Sequence, residues 1–221
     1  MRLHNFHLSS TSFRVRIALA LKGLEYEYVP VALRWKDGDH DRPEYRAFNP
    51  QANVPVLEDG DARLVQSLAI FEYLEETHPE PPILPRDPVG RARVRSLALY
   101  VACEIQPLNN LRAERYLAAT MGADKGALRT WRRHWIQTGF DVIERSLAGD
   151  PATGRFCHGD SPTIADCCLV PQIANALRPA AGMDLATWPT IARIHAACLE
   201  LSAFQRALPE NQPDHGAVAG H

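Results

Sequence analysis

Three short stretches in the first third of this 221-residue chain carry residue types that chemistry needs. The first is Ser9-Ser10-Thr11-Ser12, continuing into Phe13-Arg14-Val15-Arg16, where a strand pattern gives way to a helix pattern. A helix start presents unpaired amides and a partial positive charge, which favour an anion. Adjacent hydroxyls add donors able to solvate a thiolate. Serine and threonine are also favoured there simply as N-caps. The second stretch is Asn53-Val54-Pro55. A proline entering a strand from a loop can hold a cis bond and re-aim the preceding backbone. The Val54 N–H and C=O would then be open to an extended peptide, paired as a strand pairs; an edge-strand proline is the plainer account. The third, Gln66-Ser67, lies where a hairpin ends and a second helix starts, another place able to hold a carboxylate. Capping accounts for Ser67 and leaves Gln66 unexplained.

The elements that must position these residues follow from periodicity and punctuation. A short strand around Leu3–Phe6 precedes a helix from about Thr11-Ser12, which carries Val15, Ile17, Leu19 and Leu21 and stops at Gly23. Residues 26–33 have the aromatic and β-branched content of a second strand. Val54–Leu57 and Ala62–Val65 flank Asp59-Gly60, a tight-hairpin signal. Ser67 then opens an amphipathic helix with Leu68, Phe71 and Leu74 on one stripe. The prolines from 79 to 88 stop that helix and stiffen a connection. Everything beyond reads as helix. One long pattern runs from Asp87 to about Leu117, with Pro107 expected to kink or break it. Another is carried by Leu128, Trp131, Trp135, Ile143 and Leu147. Thr163-Ile-Ala-Asp166 is a capping box opening the apolar run Cys167–Val170. The expected fold class is α+β: a βαβαββα domain over 1–82, a proline-rich linker over 83–87, an all-helical domain over 88–210 and a disordered tail over 211–221.

Composition removes several function classes. A net charge of -2 gives no reason to expect a nucleic-acid or membrane surface. No apolar run approaches the roughly 20 residues needed to span a bilayer, and Met1–Phe6 lacks the apolar stretch of a signal peptide. A cytoplasmic enzyme is expected. The five cysteines are odd in number and form no C-x-x-C pair, and Cys167-Cys168 falls in an apolar helical run. Buried thiols are expected in place of a disulfide or metal site, and the histidines show no ligand spacing for zinc.

Together the three stretches can recognise a thiol, a peptide backbone and an α-carboxylate, which are the parts of glutathione. The chain resembles the glutathione transferases, and more narrowly their zeta class, which includes maleylacetoacetate and maleylpyruvate isomerases. The resemblance is carried by Ser9-Ser10 through Arg14–Gly23, Asn49-Pro50 before Val54-Pro55, Gln66–Ile70, Gln106–Asn110, Gly159-Asp160 with the capping box, and Leu169–Gln172.

What the resemblance implies is a thioredoxin-like N-terminal domain, an all-helical C-terminal domain and glutathione as cofactor. Ser9 would activate the glutathione sulfur, supported by Ser10, with Thr11 where relatives commonly have cysteine. Asn53, Val54 and Pro55 would meet the cysteinyl backbone, and Gln66 and Ser67 the γ-glutamyl end; Gln106 and Asn109 are further candidates for glutathione. Arg112 and Arg178 would bind the carboxylates of a small dicarboxylate substrate, through guanidinium forks suited to that task. Leu8 stands where relatives often carry an arginine that serves the same end. Arg14 and Arg16 are expected to form structural ion pairs. The implied reaction is conversion of maleylacetoacetate to fumarylacetoacetate in aromatic amino-acid catabolism, by a homodimer. Maleylpyruvate isomerisation differs only in the substrate tail. A general transferase or dehalogenase of small electrophiles is the alternative that Leu8 favours.

Overall fold

A computed structural model describes residues 1–216 of the chain. They form two compact units, Met1–Ile83 together with the chain from Leu201 on, and Leu84–Glu200.

In the first unit, β1 (Arg2–Asn5) leads into α1 (Ser10–Leu21), β2 (Glu27–Pro30), the short α2 (Pro43–Phe48), β3 (Val56–Asp59), β4 (Ala62–Val65) and α3 (Ser67–Thr77). The sheet order is β2-β1-β3-β4. β1 pairs parallel with β2, while β1 with β3 and β3 with β4 are antiparallel. Leu3 sits opposite both Tyr28 and Leu57, so this alternation turns Leu3 and Leu57 into the core. The β3–β4 turn is tight because Gly60 takes φ +56°, a conformation closed to most side chains.

α1 is buried along most of its length, with Phe13, Val15, Ile17 and Leu19 inside. Its C-terminus closes as the expected glycine requires: Leu24 N–H donates to the Leu19 carbonyl, and Gly23 has φ +66°. Lys22, its side chain fully buried, joins α1 to α3. Its Nζ donates to Glu75 Oε2 (2.9 Å) and to the carbonyls of His78 and Pro81. Removing either partner of such a buried pair costs about 3–5 kcal/mol. In α3 the buried stripe is Ile70, Phe71 and Leu74, with Leu68 only partly covered.

The end of the chain departs from expectation. Helix α9 (Ser202–Ala207) belongs to the first unit, with Phe204 buried and the Ala207 carbonyl accepting from Arg16 Nε. A six-residue helix cannot stand alone in water, so it takes its place from the surface it covers. The expected tail is ordered as far as it is described. Asp214 is buried, accepting from the backbone N–H of His7 (3.1 Å) and from the Tyr28 hydroxyl. A polar composition does not prevent packing when a carboxylate can cap a buried amide. Residues 217–221 of that tail lie outside the described residues.

The second unit holds α4 (Pro88–Leu99), a π-helical turn (Tyr100–Ile105), a 3-10 turn (Gln106–Asn109), α5 (Leu111–Met121), α6 (Lys125–Ala148), α7 (Ile164–Leu177) and α8 (Pro189–Leu199). The long pattern after Asp87 therefore breaks earlier than expected: regular α-helix ends at Leu99, and Pro107 lies in the 3-10 turn that follows the π-helical one. The capping box at Thr163 forms: Asp166 accepts from Thr163 N (2.8 Å) and also from Cys157 N (2.8 Å). Burial pushes the Asp166 carboxyl upward despite these bonds. Cys157, Cys167, Cys168 and Cys198 are buried as expected, whereas Cys103 is exposed.

Candidate functional site

The start of α1 is the centre of the candidate site. Ser9 is its N-cap, with extended backbone and Oγ accepting from Ser12 N–H at 3.2 Å. Ser10 is the first helical residue and is buried. Thr11 is half-buried and faces the next strand: its Oγ1 lies 2.8 Å from the Val54 carbonyl and 2.9 Å from Ser9 Oγ. The capping role of Ser9 and a thiol-directed role are compatible, because capping uses a lone pair and not the hydroxyl proton.

The Val54-Pro55 bond is cis. Of the two backbone groups expected to stay open at Val54, only the N–H has no partner among the described residues. The carbonyl already accepts from Thr11 and keeps one lone pair. The loop before it is held at Asn53, whose carbonyl accepts from Tyr45 Oη and Asn49 Nδ2, both at 2.8 Å. Burial pushes the Tyr45 hydroxyl up to about 12, so it remains a donor. Asn49 and Tyr45 are loop-holding residues that local pattern did not single out; the only signal was Asn49-Pro50 before the turn.

Leu8, immediately before Ser9, packs with Leu33 and Tyr45 onto the buried cluster of Phe6, Val31 and Val54. The position is apolar by construction. The flanking His7 is buried, with Nδ1 3.2 Å from Asp214, and desolvation lowers its pKa against the pull of that carboxylate.

At the third stretch the N-cap of α3 is Gln66, at φ +70°, and Ser67 is the first helical residue. The expected cap assignment is therefore shifted by one. Gln66 Nε2 donates to Gln51 Oε1 (2.7 Å), and its side chain makes no capping bond to the helix. Ser67 Oγ instead accepts from Arg14 Nη1 at 3.4 Å. Arg14 and Arg16 were expected in ion pairs, and the structure separates them. Arg16 donates to the Phe6, His7 and Ala207 carbonyls and to Asn5 Oδ1. Arg14 has no carboxylate partner among the described residues, and its Nε and Nη2 are buried without any partner.

In the second unit, Gln106 opens the 3-10 turn, and Asn109 Nδ2 donates to the Ile105 carbonyl at 2.6 Å. Asn109 Oδ1 is buried without a hydrogen-bond partner among the described residues. Arg112 is exposed in the first turn of α5, and Arg178 is the C-cap of α7, with Nη1 on Asn175 Oδ1 at 3.0 Å.

Residues 3–82 match the family described as glutathione S-transferase, N-terminal domain. The maleylpyruvate isomerase of a Ralstonia species is 50% identical, covering 97% of this chain and 99% of its own length. A solved holo structure of maleylpyruvate isomerase, described as a bacterial glutathione S-transferase of the zeta class, superimposes with a TM-score of 0.93. It is 50% identical and covers 97% of this chain and 99% of its own. The maleylacetoacetate isomerase of Methylobacterium extorquens AM1, solved with malonate and glutathione bound, has a TM-score of 0.91 and 42% identity. It covers 96% of this chain and 98% of its own.

Proposed function

Because this chain belongs to the zeta-class glutathione S-transferases, we propose that it is a glutathione-dependent cis–trans isomerase of a maleyl diketo-acid. The observation that carries the reading is the Ser9 hydroxyl at the start of α1, in the same unit as the partner-free Val54 N–H and the uncapped start of α3. These residues fit the tripeptide: a hydroxyl donor for the thiol, a strand-like amide for the cysteinyl backbone, and helix amides with Gln66 and Ser67 for the γ-glutamyl carboxylate.

Bound glutathione supplies a thiol nucleophile whose reversible addition lowers the bond order of the maleyl double bond, so that rotation and elimination return the trans product and the free thiol. Ser9 would donate a hydrogen bond to the sulfur and keep its proton, and the α1 amides would add positive potential there. A free thiol has a pKa of about 8.5, so a modest downward shift greatly enriches thiolate at neutral pH. Ser10 supports the turn that carries Ser9, and Thr11 shares the Ser9 proton. Asn53 and Pro55 hold the Val54 backbone in place. Arg112 and Arg178 offer guanidinium forks to the substrate carboxylates, with Gln106 and Asn109 as further polar groups of the helical unit.

We infer that the natural setting is a cytoplasmic homodimer in aromatic catabolism. Val89, 79% exposed on α4, and Leu99, half-exposed at its end, are apolar groups that suit an interface. Purified protein given glutathione and maleylacetoacetate or maleylpyruvate tests the activity. Turnover without loss of glutathione is expected, and the preferred tail names the substrate. No turnover of either would sink the reading.

The apolar packing of Leu8 favours a second reading, a transferase or dehalogenase of less anionic electrophiles. Depletion of glutathione, or release of halide from an α-haloacid, would select it.

A further inference from the structure

We propose that Arg14 is a positioning residue for glutathione, a buried countercharge behind Ser67 that makes the start of α3 selective for the α-carboxylate of the γ-glutamyl group. The inference rests on the glutathione reading and adds to it a residue on another helix, reaching the ligand through Ser67.

Arg14 is 2% exposed, and its one hydrogen bond among the described residues is the 3.4 Å contact from Nη1 to Ser67 Oγ. Nε and Nη2 are buried without hydrogen-bond partners among the described residues. A guanidinium stays charged in proteins, and a buried charge without a counterion is costly unless something anionic approaches it. Two other buried cations of the first unit are satisfied. Arg16, two residues on, has acceptors for Nε, Nη1 and Nη2, and Lys22 is paired with Glu75. The exception at Arg14 points toward the start of α3.

That helix start is itself short of an anion. α3 has eleven residues, with no side-chain cap and no acidic residue in its first turn. α8, which also lacks a cap from its own N-cap residue, shows what such a helix start accepts. The Glu144 carboxylate takes Thr190 N–H on Oε1 and Ile191 N–H on Oε2, each at 2.9 Å. A ligand carboxylate placed likewise on the first amides of α3 would meet the Ser67 hydroxyl, whose proton is free because its oxygen accepts from Arg14. Arg14 thus polarises Ser67 and adds its charge to the helix dipole without touching the ligand.

Two ligands decide the matter: glutathione, and γ-aminobutyryl-cysteinyl-glycine, the same tripeptide lacking only that α-carboxylate. Calorimetry should show Arg14→Met weakening glutathione roughly 10- to 100-fold, the range of a hydrogen bond to a charged group. The decarboxylated analogue should bind the variant as it binds the natural chain. Arg14→Lys should recover much of the loss. Without ligand, Arg14→Met should melt no lower than the natural chain, since it removes an unpaired buried charge, and glutathione should then raise its Tm less. If Arg14→Met does not fold, Arg14→Gln carries the same test, because it removes the charge and keeps a polar side chain beside Ser67.

Equal losses for both ligands, or no loss for glutathione, would overturn the role of Arg14. A natural chain that binds neither ligand would instead overturn the glutathione reading, and this role with it.

Discussion

Ser9 Oγ lies 2.9 Å from Thr11 Oγ1, which lies 2.8 Å from the Val54 carbonyl oxygen. A carbonyl only accepts, so the arrangement that satisfies both contacts has Thr11 donating to Val54 and Ser9 donating to Thr11. The proton proposed to stabilise the glutathione sulfur is therefore shared with a neighbour on the same turn.

Thr11→Val removes this competitor at nearly constant volume. The bound thiol should become more acidic by less than one pKa unit, since one neutral hydrogen bond is worth about 1 kcal/mol and a pKa unit 1.36 kcal/mol. Titrating the thiolate absorbance of bound glutathione measures the shift. An increase in the thiol pKa would mean that Thr11 aims the Ser9 proton and does not compete for it.

Ser9 has two roles that substitution can separate. Ser9→Ala should lower kcat/KM by roughly 100-fold, in the range for losing one charge-stabilising donor. It should also cost about 1 kcal/mol of stability through the lost cap. Ser9→Asn keeps a capping side chain, so stability should recover to within about 0.5 kcal/mol while activity stays low. Urea denaturation alongside kinetics reads both, and recovery of activity by asparagine would remove Ser9 from catalysis.

Leu8→Arg places a cation where the structure has an apolar contact. The maleyl dianion should gain in kcat/KM over an uncharged electrophile, and stability should fall by about 1–3 kcal/mol because the side chain leaves the Phe6, Val31 and Val54 cluster. An unchanged preference would mean that Leu8 does not face the substrate.

Acid should destabilise the protein through His7 and His195, both lowered by burial. A histidine whose folded pKa lies below its unfolded value of about 6.5 binds its proton more readily when unfolded. Its stabilising contribution is present above that pH and is lost as pH falls through the folded value. Urea midpoints measured from pH 7.5 to 5 should fall, and His195→Gln should flatten the decline. A slope unchanged by the substitution would assign the effect elsewhere.

Legibility followed sequence distance. The Asp59-Gly60 hairpin, the Gly23 stop and the Thr163–Asp166 capping box each depend on residues a few positions apart, and each formed as expected. The cap of α3 is Gln66, one residue before the expected one, and Ser67 meets a partner 53 residues away in Arg14. The packing of Asp214 onto His7 crosses 207 positions, and no local pattern encodes it.

From the residues alone came the alternation of strand and helix, the helix start at the serine turn, and the family set by Ser9-Ser10, Val54-Pro55 and Gln66-Ser67 in order. These are determined by short-range sterics, periodicity and motif spacing. Only the tertiary structure decided which of two similar arginines is satisfied, which backbone group of Val54 stays open, and where the Ser9 proton is directed. Those outcomes depend on which groups from distant segments share a buried, low-dielectric space, where one missing acceptor separates a structural side chain from one suited to a ligand.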